Sequence, residues 1–470
     1  MNCRNLLISI VIFILPLSLF SIQPSAVSAT SDAPHPLPYV SPKMEESEFW
    51  IRKIKNPDRV FVKPEEIQRM NGHNLKRDDL YLFSLTDMPK ELSREEMFAC
   101  LKEDWEGFVV PGETRYGREG SPLGKSFWDE LEQNLNRESL KEKNQARLGL
   151  ITNRTDIRVF PTEEQSKALP GQDPFDRFQH SSISPGSLIA IHHVSKDHRW
   201  TYVQTQFVRG WVQTAAVAIA GERKEALEYQ GAKERLVVTG SFVRVFGDPL
   251  LRQLLFLAQM GNSFPLISRP AHGGTVEPSY IINIPVREGD GRLTFGKGYI
   301  PANGDVREGF LPYTQDNVAR QAFKMLHEPY GWGDISGTRD CSRFIMDVFA
   351  SFGIIMPRNS KFQGKMGKDL GEMERKKIDE KKRVLDRAVP LATVLRLPGH
   401  IMLYLGKDRG RYYAIHNIWG IQTKRPSGPV LEKIGRVVVS DLSLGGSGPH
   451  GSLLQRITDV RLIEPDGIFP

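Results

Sequence analysis

The sequence predicts a multidomain α+β protein, with an N-terminal mainly helical segment, two small β-barrels and a C-terminal α+β domain in which the chemistry concentrates. Three observations predict it. At 470 residues the chain exceeds what one hydrophobic core organises, while its 40% hydrophobic and 25% charged residues are ordinary for a globular protein. A pair of similar strand motifs recurs in the middle of the chain. Beyond Gly304 the texture changes to helix followed by strands, and there a cysteine and two histidines stand in an order that suits catalysis.

Residues 1–29 read as a secretory signal. Arg4 precedes an apolar run from Leu6 to Leu15, Pro16 follows, and Ala26-Val27-Ser28-Ala29 suits cleavage after Ala29. The run is short for a membrane span, which needs about 20 residues, and no later segment is apolar enough to cross a bilayer. The mature protein is therefore expected to be exported, to the periplasm or cell envelope, without a membrane span. Cleavage removes Cys3 and Arg4 and leaves 62 basic against 56 acidic residues, a net of +6. That excess suits an anionic surface such as a cell wall, but the charges are scattered, so nucleic acid is not an expected partner. Cys100 and Cys341 then remain, and an oxidising compartment would permit one disulfide between them.

The next element, residues 30–147, reads as mainly helical behind a leader at 31–45 that holds four prolines. Pro64 is placed to begin a helix and Gly72 to follow its end. Phe127, Trp128 and Leu131 suggest another helix. Cys100 lies in a helix-like stretch from Glu95 to Leu101, where a cysteine usually serves as a small buried hydrophobe. No catalytic pattern occurs here.

Two barrels, residues 148–228 and 229–304, follow from an internal repeat. Ile157-Arg158-Val159-Phe160 resembles Val243-Arg244-Val245-Phe246, and Gly210-Trp211-Val212 resembles Gly298-Tyr299-Ile300. The first apolar residue and the later aromatic are 54 positions apart in one copy and 56 in the other. Between them run alternating, β-branched-rich stretches such as Leu188-Ile189-Ala190-Ile191 and Trp200-Thr201-Tyr202-Val203, bounded by turn residues. Trp200 and Tyr202 could line a pocket or fill the barrel core. Small barrels of this kind usually bind rather than catalyse.

Residues 305–470 hold the candidate site. Phe344, Ile345, Val348, Phe349 and Phe352 recur with helical spacing, and Gly353 with Pro357 ends the helix. Asp340 suits its cap, which puts Cys341 in the first turn. The partial positive charge of a helix start favours thiolate over thiol, and its free N–H groups can receive a developing oxyanion. A strand runs from Leu397 to Gly406, Asp408-Arg409-Gly410 reads as a turn, and Tyr412 to Ile418 as the returning strand. With Gly406 opposite Gly410 across a three-residue loop, His400 and His416 become direct cross-strand partners. One imidazole can then take the thiol proton while the other orients it.

These residues carry a family resemblance. Asp340-Cys341-Ser342, Tyr330-Gly331-Trp332-Gly333, the Gly399-His400 strand and the Ile415-His416 strand resemble NlpC-type cell-wall cysteine peptidases. The layout resembles members with an N-terminal helical segment, two bacterial SH3-like barrels and a C-terminal papain-like catalytic domain. The resemblance implies a gamma-D-glutamyl-L-diamino acid endopeptidase acting on peptidoglycan stem peptides or muropeptides, and no cofactor is expected. It implies Cys341 as nucleophile, His400 as base and His416 as the orienting group. Tyr330 would line the oxyanion site through its hydroxyl, with Asp340, Ser342, Asn359 and Ser360 around the substrate. In such proteins the first barrel often walls the pocket and restricts it to stems with a free amino terminus.

The chain departs from that pattern at several positions. Many members show Pro-Arg-Asp-Ser where this sequence has Pro357-Arg358-Asn359-Ser360, with Gln363 soon after. A neutral Asn359 cannot ion-pair with an ammonium group, so strict free-amine selectivity is not implied. Arg343 and Asp334 stand where glycines are common. Elsewhere, His192 and His193 alternate across a strand and make a poor metal pair, and no His-Glu-x-x-His or paired Cys-x-x-Cys occurs, so no metal is expected. Gly289, Gly291, Gly296 and Gly298 read as hairpin glycines, and Lys376 to Arg383 as a solvated charged stretch. Two rival readings are a non-catalytic wall-binding protein, and an amidase or acyltransferase on the same fold.

Overall fold

A computed structural model of the chain describes residues 35–465 apart from 172–173, 271–277, 303 and 427. The expected signal segment, 1–29, lies outside the described residues. Helix α1 (Pro64–Asn74) begins at its proline but runs through Gly72 rather than stopping before it. The glycine has open space around it, while Ile67 and Met70 hold the helix on the core. Helix α2 (Arg94–Phe108) starts on a capping box: Ser93 Oγ accepts from the Glu96 N–H at 3.1 Å and Glu96 Oε2 accepts from the Ser93 N–H at 2.8 Å. Helix α3 (Lys125–Asn134) follows.

The helical segment is fastened to the first barrel. Met97, Cys100, Leu101 and Leu131 share one core with Phe160, Phe178, Trp200, Tyr202 and Trp211. Trp200 and Tyr202 are 4% and 1% exposed and belong to this core. On the same interface the Asp104 carboxylate accepts bonds from the Tyr202 hydroxyl and from Arg209. Cys100 and Cys341 occupy separate cores and no disulfide joins them.

The first barrel contains β1 (Arg147–Ile151), β2 (Thr155–Arg158), β3 (Gln179–Ile183), β4 (Leu188–Val194), β5 (Trp200–Gln204), β6 (Arg209–Gln213) and β7 (Val217–Ile219), ordered β3-β2-β6-β5-β4-β1-β7. Helix α4 (Arg223–Gln230) leads into the second, with β8 (Arg235–Val238), β9 (Phe242–Phe246), β10 (Leu254–Gln259), β11 (Ser263–Ser268), β12 (Ser279–Arg287), β13 (Leu293–Pro301) and β14 (Val306–Glu308). Its order, β10-β9-β13-β12-β11-β8-β14, repeats that of the first barrel strand for strand. The repeated motifs meet across equivalent ladders, Arg158 opposite Trp211 and Phe246 opposite Tyr299. Gly210 permits the closest of these approaches, since a Cβ there would sit 2.6 Å from the Arg158 carbonyl oxygen.

The C-terminal domain contains α5 (Gln315–Phe323), α6 (Cys341–Ala350), α7 (Ser360–Gln363), α8 (Ile378–Leu385), β15 (Thr393–Leu397), β16 (His400–Asp408), β17 (Arg411–Arg425), β18 (Gly428–Asp441) and β19 (Asp459–Leu462). Its antiparallel sheet runs β19-β15-β16-β17-β18, with the short strand Lys368–Asp369 beyond β19. Helix α6 lies on this sheet, its Phe344, Ile345, Val348 and Phe349 packed with Ile401, Leu403, Ile415 and Val439. Among the described residues no helix is long and apolar enough to cross a membrane.

The β16–β17 register differs from the expected one. Asp408 pairs with Arg411, so the loop is only Arg409-Gly410, both at positive φ (44° and 81°), as a tight hairpin turn requires. The extra residue goes instead into a bulge at Leu405, between Tyr404 and Gly406. Below the bulge Leu403 pairs with Ile415, which leaves His400 and His416 diagonal on one face and not directly opposite.

Candidate active site

Two elements bring the expected residues together. Asp340 caps α6, its Oδ1 accepting from the Arg343 N–H at 2.8 Å, so Cys341 is the first helical residue, 6% exposed. A tight turn at Pro398-Gly399, with Gly399 at φ 77°, returns the chain so that β16 opens on His400. The N–H of Ile401, the next residue of that strand, and the N–H of Ser342 both interact favourably with the Cys341 sulfur. The nucleophile candidate therefore rests against the start of the histidine strand.

His400 Nε2 lies 2.6 Å from His416 Nδ1, and His416 Nε2 lies 2.8 Å from Ser440 Oγ. The ring centroids of the two histidines are 4.8 Å apart. His416 is wholly buried, while His400 keeps an accessible edge. Because His400 spends Nε2 on His416, its Nδ1 is the nitrogen left for a proton from elsewhere. Ser440 completes the chain and was not anticipated. Its only sequence signal is that it is the first polar residue after the buried run Val437-Val438-Val439.

Burial governs the electrostatics. It pushes the Cys341 thiol up to about 12, with the Asp340 charge adding to the effect and the two N–H donors opposing it. It carries His400 down to about 3 and His416 well below the usual imidazole range. Burial thus opposes the effect of the helix start on the Cys341 thiol. For all three groups burial favours the neutral form.

The remaining candidates divide. Tyr330 is close enough to Cys341 and Asp340 that, after burial, their charges raise its hydroxyl further above the usual value. Its ring stands 5.8 Å from Trp419, which sits where the β17–β18 register shifts between Ile418 and Gly420. Phe175 of the first barrel contacts the same Trp419 at 5.9 Å, and Trp332 Nε1 donates to the Asp176 carbonyl at 2.8 Å. Sequence reasoning missed both Trp419 and Phe175. Asp340 and Ser342 are buried and bound to Arg358, whose Nη2 donates to Asp340 Oδ2 at 2.7 Å and whose Nη1 donates to Ser342 Oγ at 2.8 Å. Burial alone would raise the Asp340 carboxyl, but Arg358 holds it below the usual range. Arg358 Nε also donates to Ser181 Oγ of the first barrel at 2.6 Å. Asn359 is exposed, with Oδ1 accepting from the Lys361 N–H at 2.8 Å, and Ser360 begins α7. Gln363 fastens α7 to the Cys341 turn by donating to the Ser342 and Pro357 carbonyls at 2.9 and 2.8 Å.

A cysteine at a capped helix start thus lies against the start of a sheet strand that carries one of two bonded histidines. Residues 327–434 match the NlpC/P60 family, and residues 165–213 match the SH3 domain of SH3b1 type. No curated protein matches the chain. Among solved structures, an NlpC/P60 endopeptidase from Photobacterium damselae subsp. piscicida superposes with a TM-score of 0.70 at 19% identity, covering 88% of this chain and 96% of that one. An NlpC/P60 family protein from Bacillus cereus ATCC 10987 is also similar, with a TM-score of 0.46 at 15% identity, covering 68% of this chain and 100% of that one. The C-terminal domain is an NlpC/P60 domain, and the protein is a peptidoglycan-hydrolysing cysteine peptidase that carries SH3 domains.

Proposed function

We propose that the protein hydrolyses the gamma-D-glutamyl to diamino acid bond of peptidoglycan stem peptides, with Cys341 as nucleophile, His400 as base and His416 as the orienting group. One observation carries this reading: the His400–His416–Ser440 chain ends beside the helix turn that bears Cys341. His400 Nδ1 takes the thiol proton as sulfur attacks the amide carbon. The resulting imidazolium is held by His416 Nδ1, while His416 keeps its own proton on Nε2, toward Ser440. The N–H groups at the Cys341 turn and the Tyr330 hydroxyl receive the oxyanion. Collapse expels the diamino acid amine, which takes the proton back from His400, and water then cleaves the thioester to free the D-glutamyl carboxylate.

The signal-like residues 1–29 support action outside the cytoplasm, which fractionation of cells expressing the full chain checks. Incubation with an L-alanyl-gamma-D-glutamyl-diamino acid tripeptide tests the chemistry. Mass spectrometry should detect the alanyl-glutamate dipeptide and free diamino acid from wild type and neither from Cys341→Ala. Cleavage by the variant, or no dipeptide from wild type, would sink the reading.

A further inference from the structure

Arg343 and Asp334 hold each other. Arg343 Nη1 donates to Asp334 Oδ2 at 3.0 Å, both residues are buried, and Asp334 is wholly inaccessible. Asp334 Oδ2 also accepts from Ser182 Oγ at 3.2 Å, and Ser182 lies on β3 of the first barrel. One turn into α6, Asp347 Oδ1 accepts from Arg343 Nε at 2.6 Å, while its Oδ2 accepts from Arg339 Nε at 2.6 Å and from Gln259 Nε2 at 2.6 Å. Gln259 ends β10 of the second barrel. Arg339, 1% exposed, continues the network to Glu328 at 2.6 Å and to the Ser241 carbonyl at 2.9 Å.

Strands β3 and β10 hold the same edge position in the two copies of the barrel. Each therefore sends a polar side chain into one buried network that grips α6. A helix anchored only by apolar packing can slide or rotate slightly, because dispersion is non-directional. Buried charge-assisted bonds with fixed fork geometry resist both motions. We infer that Asp334, Arg343 and Asp347, with Ser182 and Gln259 from the barrels, are positioning residues that fix Cys341 against His400, so that both barrels belong to the catalytic apparatus. The inference rests on the assignment of Cys341 as nucleophile.

The test uses the full chain carrying Gln259→Leu, Ser182→Ala or Arg343→Gln, the last with and without Asp334→Asn, assayed on the defined tripeptide beside wild type and Cys341→Ala. A misplaced nucleophile costs turnover more than binding, so kcat should fall about tenfold in Gln259→Leu and Arg343→Gln with KM within about twofold. Asp334→Asn should restore part of the loss in Arg343→Gln, because it removes a buried carboxylate left with only the more distant Arg358 Nη2, 3.7 Å away. The rate of Cys341 alkylation against pH should shift in the same variants. Unchanged kcat and alkylation in the two barrel variants, in protein that melts like wild type, overturns the inference; so does a change in KM alone. The barrel variants carry the decision if Arg343→Gln does not fold. Cleavage by Cys341→Ala would instead strike the nucleophile assignment.

Discussion

His400 and His416 meet diagonally across β16 and β17, Nε2 to Nδ1 at 2.6 Å, because a bulge at Leu405 offsets the two strands. Diagonal neighbours lie farther apart than direct pairs, but two imidazoles are long enough to close the gap. The pair then acts as a unit. His400→Ala should lower kcat by about a thousandfold or more, and His416→Ala by about a hundredfold. Ser440→Ala removes one hydrogen bond at the end of the chain and should cost no more than about tenfold. Steady-state rates on the tripeptide check the ranking, and a larger loss for Ser440→Ala than for His416→Ala would contradict it.

Burial of Cys341 and His400 predicts a shifted pH profile. His400 must be uncharged to accept a proton, and burial lowers its proton affinity to about 3, so the acid limb of kcat/KM moves below the usual imidazole range. The thiol is pushed up to about 12, so the alkaline limb moves upward. Activity of the free enzyme should therefore vary little between about pH 5 and 9. Iodoacetamide should modify Cys341 slowly at neutral pH and faster only at strongly alkaline pH. A narrow bell near neutrality would instead indicate a preformed thiolate–imidazolium pair.

Asn359 bears on substrate choice. It is exposed and uncharged, so a stem whose amino terminus is acetylated should be cut within about threefold of the free stem. Asn359→Asp adds a carboxylate at that position and should favour the free ammonium by about tenfold, read as a ratio of kcat/KM values. Equal ratios in both proteins would show that position 359 does not meet the amino terminus.

Asp104 is a polar link between the helical segment and the first barrel. Its removal leaves Arg209, 5% exposed, with Glu103 at 2.8 Å and the Cys100 carbonyl at 3.4 Å, and leaves the Tyr202 hydroxyl without its Asp104 acceptor. Asp104→Ala should lower stability toward the smaller end of the ~3–5 kcal/mol typical of a broken buried pair. Urea denaturation measures the loss, and proteolysis should first attack residues 45–147.

Much of the architecture was readable because its elements carry their own patterns. The Gly-Trp-Val and Gly-Tyr-Ile motifs marked two barrels, and the apolar stripe from Phe344 to Phe352 marked α6. The Asp340 cap and the pairing of His400 with His416 were readable for the same reason. What escaped has no local signal. A bulge at Leu405 adds one residue to a strand without changing its composition. Ser440 follows an apolar run like any strand polar residue. Helix α1 overran Gly72 because tertiary packing at Met70 outweighs the weak preference of one glycine. The push of burial on the Cys341 thiol depends on its packing in the folded core, which its place at a helix start does not reveal. The tie from Ser182 and Gln259 to α6 spans residues far apart in the chain, which no window of sequence brings together.

The shared edge position of β3 and β10 bears on how freely such proteins can be rebuilt. Two copies of one small barrel look like interchangeable parts, suited to shuffling, deletion or replacement by another wall-targeting module. Here each copy ends in a different buried partner, a serine beside Asp334 in one and an amide beside Asp347 in the other. Swapping the copies would present the wrong group to each end of the network, and trimming either would leave bare ions in a dry interface. Duplication supplied two like parts, and the helix they hold has made each of them irreplaceable by the other.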